Sequence, residues 1–465
     1  MTTYRPYIAS LIGELIQRSQ RASLGLLGLA QPSVRAVLAR QLSAAPGTSG
    51  SQLADPVLEP TFGWTESTES VAQLTGGLLH PRLVRCLANP PALLAKDYTF
   101  PTSRAPYSHQ LEAWRYLARP QPGSLVVTSG TGSGKTECFL VPILNRLAGQ
   151  VDQEGRLEGV RALFLYPLNA LIASQRNRLD AWTDGFEGDI RYCLYTGELE
   201  QSVKGKPAFK GMVKDRQDLR ASPPPVLVTN ATMLEYMLIR KEDEPILAKS
   251  KGKLEWIVLD EAHTHIGSQA AEMALLLRRV MLGFDVDPKN VRFVATSATF
   301  GDDANTVSKL KQFIAEMAGV STAQVHVVHG KRKVPPLPPP AAQAVPQRLA
   351  DIEAVDSGVE VSPGRFGLLS AHPAARTLRQ AFIEDEQTKA RRLSQLLAVP
   401  GADDRASVLR WLDLMSGTRE VLGGEAFLPL RVHLFHQVIS GLYACVDPAC
   451  PCKAEELRAD DWSFG

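Results

Sequence analysis

The sequence predicts an α/β fold: a parallel, doubly wound sheet in the middle of the chain, with a helical region before it and a helical, cysteine-containing region after it. Two observations carry this. Between residue 125 and about residue 330, short apolar runs alternate with segments of helical periodicity. Most of those runs are apolar throughout rather than at every second position, so both faces of the sheet should be covered. The candidate strands are residues 125–128, 162–166, 192–195, 226–230, 256–260, 292–296 and 325–328. In such sheets ligands bind beyond the carboxyl ends of the strands.

The flanking regions follow from patterning. In residues 1–95, Tyr7, Ile8, Leu11, Ile12, Leu15 and Ile16 recur at helical spacing, which predicts a helical accessory region. Residues 96–330 form the α/β domain. Residues 331–350 read as an extended linker, because Pro335, Pro336, Pro338, Pro339 and Pro340 fit neither a helix nor a central strand. Residues 351–465 read as mainly helical.

Composition narrows the function classes. Lys plus Arg is 51 and Asp plus Glu is 49, a net charge of +2, which excludes a histone-like polycation. A hydrophobic fraction of 44% argues against global disorder. Six cysteines in 465 residues do not make a disulfide scaffold. No apolar run approaches the roughly 18 residues that span a bilayer, and Arg5, Glu14, Gln17 and Arg18 interrupt any leader-like stretch. A cytoplasmic setting without a membrane partner is expected.

Residues 125–128 run directly into Ser129-Gly130-Thr131-Gly132-Ser133-Gly134-Lys135-Thr136, and a helical segment follows. Strand, glycine loop, GKT and helix together make a phosphate-binding loop. Glycines let backbone N–H groups turn toward phosphate oxygens, and the helix start adds partial positive charge. Lys135 is expected on the β- and γ-phosphates of ATP and Thr136 on Mg²⁺. Ser129 stands where the strict pattern has its first glycine.

The apolar run 256–259 ends in Asp260-Glu261-Ala262-His263. Two adjacent carboxylates at a buried strand tip repel unless a cation joins them. Asp260 is expected in the Mg²⁺ shell, with Glu261 as the group that orients or deprotonates the attacking water. His263 reads as a coupling residue, and His265 has no assigned role.

With both motifs placed, the chain resembles superfamily 2 helicases of the DEAD/DEAH-box type. This implies a RecA-like P-loop NTPase domain. Tyr107-Ser108-His109-Gln110 is similar to the adenine-recognising element, with Gln110 as base reader. Leu165-Tyr166-Pro167-Leu168-Asn169 is similar to motif Ia, Tyr195-Thr196-Gly197-Glu198 to Ib, and Val228-Thr229-Asn230-Ala231-Thr232 to Ic. The resemblance implies that Pro167, Asn169, Thr196, Gly197, Thr229, Asn230 and Thr232 contact DNA or RNA, their hydroxyls and N–H groups suiting phosphate oxygens. Ser297-Ala298-Thr299 is similar to motif III, which couples hydrolysis to domain movement. Thr131 to Glu137, Ala274 to Arg279 and the segment from His433 to Cys445 look like the large-helicase-related bacterial branch. Some of its members serve phage defence or repair, and several carry cysteine-based zinc elements.

A working motor of this family needs a second RecA-like domain with an arginine finger, and no such motif follows residue 330. The expected function is therefore the ATP-binding half of a helicase or translocase, with the second domain on a downstream or separate chain. The other class considered is an ATP-controlled nucleic-acid clamp that does not unwind. Cys445, Cys450 and Cys452 form C-x4-C-x-C. Clustered thiols in a reducing compartment suit Zn²⁺, with His433 or His436 as a fourth ligand. A metal-free thiol cluster and a redox role are the alternatives.

Overall fold

The computed structural model describes residues 7–437, except 131, 206, 265–266, 298–303, 340–345, 347, 385–386 and 398–403; at 263, 304–306, 384 and 387 it describes backbone only. The strands among these residues, in chain order, are β1 (Val57–Pro60), β2 (Ser124–Thr128), β3 (Ala162–Leu165), β4 (Tyr192–Tyr195), β5 (Met212–Val213), β6 (Val226–Thr229), β7 (Trp256–Leu259), β8 (Arg292–Ser297), β9 (Val325–His329), β10 (Ile383–Glu384), β11 (Gln387–Thr388), β12 (Arg391–Arg392) and β13 (Leu430–His433). The chain divides into two units, one of residues 64–331 and one of residues 1–63 with 332–465.

The 64–331 unit is built on an eight-stranded sheet of order β5-β4-β6-β3-β7-β8-β2-β9, and every pairing in it is parallel. Successive residues of a strand serve opposite faces. In β2, Leu125 and Val127 pack on one face with Phe139, Leu144 and Phe164, while Val126 packs on the other with Leu163, Leu259 and Leu277. Helices cover both faces, which is why the strands read as unbroken apolar runs. Because all eight strands point one way, their carboxyl ends share one edge, and the motif-bearing loops leave from it.

The boundary drawn at residue 95 falls inside this unit. Val71, Leu74, Leu83, Leu87 and Phe100 are buried in the same core as Phe139, so the segment from Trp64 onward belongs with the sheet.

In the other unit the helix Ile8–Leu27 is anchored at its start by Asp413, whose Oδ1 accepts from the Tyr7 and Ile8 N–H groups at 3.0 and 2.7 Å. Asp413 comes from the helix Arg405–Gly417 and is buried, and a carboxylate there satisfies N–H groups that have no partner within the helix. The flanks, read as helical before the sheet and mainly helical after it, also contribute strands: β1 pairs antiparallel with both β12 and β13. The described stretch 331–339 of the proline segment is packed rather than free. Val334 and Leu337 lie against the unit's core, and the carbonyls of Pro335 and Pro338 accept from Arg379 and Arg376 at 2.7 and 2.8 Å.

Candidate active site

The loop after β2 is held from below by the helix Ser108–Leu117. The His109 ring Nε2 lies 2.8 Å from the Ser133 carbonyl, Gln110 Nε2 donates to the Gly134 carbonyl at 3.2 Å, and Trp114 Nε1 donates to the Glu137 carbonyl at 2.9 Å. Gly134 has φ +73°, and a Cβ there would meet Gln110 Nε2 at 2.2 Å. Glycine is thus required both by backbone conformation and by space. Ser129, in place of the usual first glycine, sets its hydroxyl 2.5 Å from that of Ser133. Gly130, Gly132 and Thr136 complete the described part of the loop; Thr131 lies outside the described residues.

Asp260 and Glu261 follow β7, two strands from β2 in the sheet. The Asp260 N–H donates to the Leu165 carbonyl at 3.1 Å, which ties the acidic turn to the end of β3. The Asp260 carboxylate accepts from the Thr296 hydroxyl, and that same oxygen accepts from the Glu261 N–H at 3.2 Å. Burial pushes the Asp260 carboxyl above the usual range and the neighbouring Glu261 charge adds to this, while the Thr296 hydrogen bond and Lys135 oppose it. Glu261 sits at φ +53°, a conformation that L-residues seldom adopt.

The two motifs meet. Lys135 Nζ lies 3.8 Å from Glu261 Oε1 and donates to the Ser129 carbonyl at 3.3 Å. Both line a cleft of about 430 Å³ with Gln110, Gly132, Gly134, Thr136 and Asp260. Its far wall is aromatic and basic: Tyr98, Phe100, Tyr107, Trp182 and Arg178. Arg178 reaches Glu137 at 3.4 Å and stands 6.0 and 5.9 Å from the ring centres of Tyr98 and Trp182.

Thr136 and Asp260 offer a hydroxyl and a carboxylate, the hard oxygen donors that Mg²⁺ prefers. The partly buried carboxylate of Asp260 has Lys135 as a neighbouring positive charge but no ion pair of its own within 4.0 Å among the described residues, so the donor set fits a divalent cation. Gln110 is more committed than expected. Its Oε1 accepts from the Tyr107 N–H at 2.9 Å while its Nε2 holds Gly134, so in this structure it braces the loop.

The other half of the carboxyl edge carries the remaining motifs. Pro167 and Asn169 follow β3, Thr196 and Gly197 follow β4, and Asn230 and Thr232 follow β6, three neighbouring strands. Asn169, Gly197 and Thr232 are exposed. Asn230 joins two of these loops, donating to Asn169 Oδ1 at 2.8 Å and capping the helix Ala231–Ile239 through the Met233 N–H at 2.8 Å. Thr229 corrects an expectation. It is fully buried, and its hydroxyl donates to the Tyr195 carbonyl at 2.7 Å, so it ties β6 to β4 instead of facing a phosphate. Thr196 is nearly buried.

Ser297 is buried at the end of β8, and its carbonyl accepts from the Ser129 N–H at 3.3 Å. Ala298, Thr299, the side chain of His263, and Cys445, Cys450 and Cys452 lie outside the described residues. His433 is engaged with Glu59, its Nε2 at 2.8 Å from the carboxylate. Among the described residues no cluster of three or more His, Cys, Asp or Glu side chains could hold a metal ion, and no helix is long and apolar enough to cross a membrane. Sequence reasoning passed over Thr296 and Arg178. Thr296 was legible as the residue just before the motif III triplet at a strand end; Arg178 carries no motif.

A glycine cradle, a lysine and an acid pair at the carboxyl edge of a parallel sheet define a P-loop nucleoside triphosphatase domain. Residues 107–307 match the family described as DEAD/DEAH box helicase. The Druantia protein DruE of Escherichia coli (strain UMEA 4076-1) is 24% identical over 74% of this chain and 26% of its own length. The uncharacterized ATP-dependent helicase YprA of Bacillus subtilis (strain 168) is 28% identical over 42% of this chain and 23% of its own. A crystal structure of the DUF1998 helicase MrfA bound to DNA is 23% identical, covers 60% of this chain and 30% of that one, and aligns with a TM-score of 0.40. The chain spans about a quarter of the length of the curated relatives it matches.

Proposed function

We propose that this chain is the ATP-binding half of a nucleic-acid helicase or translocase and turns over ATP efficiently once a second RecA-like domain is supplied, downstream or on a separate chain. The carrying observation is the 3.8 Å approach of Lys135 to Glu261 across the cleft. Lys135 and the loop N–H groups bind the β- and γ-phosphates. Glu261 takes up the attacking water's proton or orients that water. Thr136 and Asp260 hold Mg²⁺, which supplies charge neutralisation at the phosphate oxygens. Asn169, Gly197, Asn230 and Thr232 receive the sugar–phosphate backbone of a DNA or RNA strand on the adjoining half of the edge.

ATP hydrolysis by the purified chain, with and without single-stranded DNA or RNA and with and without a candidate second domain, tests this. Addition of the second domain is expected to raise turnover by ~10³–10⁵-fold, the usual worth of an arginine finger. Strand binding that responds to ATP with no rise in turnover would instead make the protein a non-motoring clamp.

A further inference from the structure

At the opposite, amino-terminal edge of the same sheet lies a second cleft, of about 980 Å³. Strand register assembles its floor. Ala162 pairs with Trp256 and Trp256 with Arg292, so Arg161, Trp256 and Arg292 stand side by side at the starts of β3, β7 and β8. The backbone locks this: the Trp256 N–H donates to the Arg161 carbonyl at 3.0 Å and the Arg292 N–H to the Glu255 carbonyl at 2.8 Å. Arg146 and Gln150, one turn apart on the helix Lys135–Glu154, form a side wall.

The charges in this cleft do not balance. Arg119, Arg146, Arg161, Lys253 and Arg292 line it, against Glu154 and Glu255. Arg161 takes Glu154, with its Nη1 at 3.0 Å, and Arg146 takes Glu255 at 3.1 Å. Arg292 donates only to the Arg119 and Pro120 carbonyls at 2.9 and 3.4 Å, and Lys253 to the Glu158 carbonyl at 2.9 Å. Among the described residues, Arg119, Lys253 and Arg292 have no carboxylate within ion-pair distance.

The hydrogen bonds do not balance either. Arg161 Nε, Trp256 Nε1 and Arg292 Nε are buried donors without an acceptor, and Gln150 Oε1 is a buried acceptor without a donor. All four residues are more than nine-tenths buried. Folded proteins seldom leave such groups alone, and a bound ion is one of the ordinary reasons when they do. Water would satisfy the donors but not the charge, and a cation would meet like charge. An acceptor-rich anion with several oxygens answers the charge and the three orphan donors together, and a proton on one of its oxygens would serve Gln150 Oε1.

We propose that this cleft binds a small, multiply charged oxyanion of the phosphate class, at a site separate from the triphosphate cleft. The two clefts lie at the two ends of β7, whose four residues run from Trp256 to Leu259, with Asp260 next in the chain.

The test uses the full chain carrying Lys135→Ala, so that the phosphate loop does not contribute. Inorganic pyrophosphate is titrated at constant ionic strength against a chloride reference. Tryptophan emission is the readout, since Trp114 and Trp256 both line the cleft, with calorimetry in parallel. Saturable single-site binding is expected. Adding Arg119→Ala with Lys253→Ala should weaken it at least ~10-fold, the scale of charge-assisted contacts. Trp256→Phe, which keeps an aromatic ring but removes the donor, should weaken it several-fold and covers the case in which the charge variants misfold. No saturable binding in Lys135→Ala, or binding unchanged by these substitutions, overturns the proposal. Displacement of pyrophosphate by a short oligothymidylate overturns it as well, because strand phosphates would then be the occupant.

Discussion

The hydroxyl of Thr296 donates to the Asp260 carboxylate and accepts from the Glu261 N–H. One side chain at the end of β8 therefore fixes both acidic residues at the end of β7, one through its carboxylate and the other through its backbone.

Thr296→Val keeps the shape and removes this link. A hydrogen bond to a charged group is worth about 1.5–3 kcal/mol, so ATP turnover in the reconstituted two-domain system should fall by roughly 10- to 100-fold. The bond holds the Asp260 carboxyl down against burial. Its loss lets that carboxyl rise further, and the acidic limb of the rate profile should move to higher pH. Steady-state ATPase rates across pH check both.

Glu261→Gln removes the group assigned to the attacking water and leaves the cradle intact. Turnover should drop by about 10²–10⁴-fold, the range for general base catalysis, while a fluorescent ATP analogue should still bind. An unchanged rate would remove Glu261 from the mechanism.

Gly134→Ala places a methyl where Gln110 Nε2 stands, at a residue with positive φ. Nucleotide binding should fall at least ~10-fold while the thermal transition survives, since one strained residue costs about 1–3 kcal/mol. Nucleotide titration and a melting curve separate the two effects.

Asp215 caps the helix Arg216–Ala221 through the Asp218 N–H at 2.8 Å and also accepts from the Val203 N–H at 2.9 Å. Burial would raise its carboxyl, but these backbone bonds outweigh it and hold the group below the usual range. A lowered folded-state value means that the cap stabilises above the ordinary carboxylate range and that this stability is lost as pH falls through the folded value. Asp215→Ala should cost about 0.5–2 kcal/mol at neutral pH and progressively less as the solution is acidified. Denaturant melts at several pH values measure this.

The parallel strands were legible because both faces of the sheet are covered, which makes their residues apolar without alternation. The glycine loop and the acid pair, which the fold brings into one cleft, were legible because phosphate-binding loops and acidic strand ends place particular atoms at fixed offsets in the chain. The sheet of β1, β12 and β13 was not, since its strands are two to four residues long and meet partners far away in the sequence. The inward turn of Thr229 was equally hidden: a threonine at a strand end reads the same whether its hydroxyl faces a phosphate or the neighbouring Tyr195 carbonyl. Arg178 gains its place only through the fold, which brings Glu137, Tyr98 and Trp182 around it.

The left-handed backbone at Glu261 has a cost outside the chemistry. A glycine would adopt that conformation without strain, so Glu261→Gly should yield a chain that melts later and hydrolyses nothing. Durability and turnover are opposed at this position, and a variant library screened for heat resistance alone would be drawn toward inactive protein.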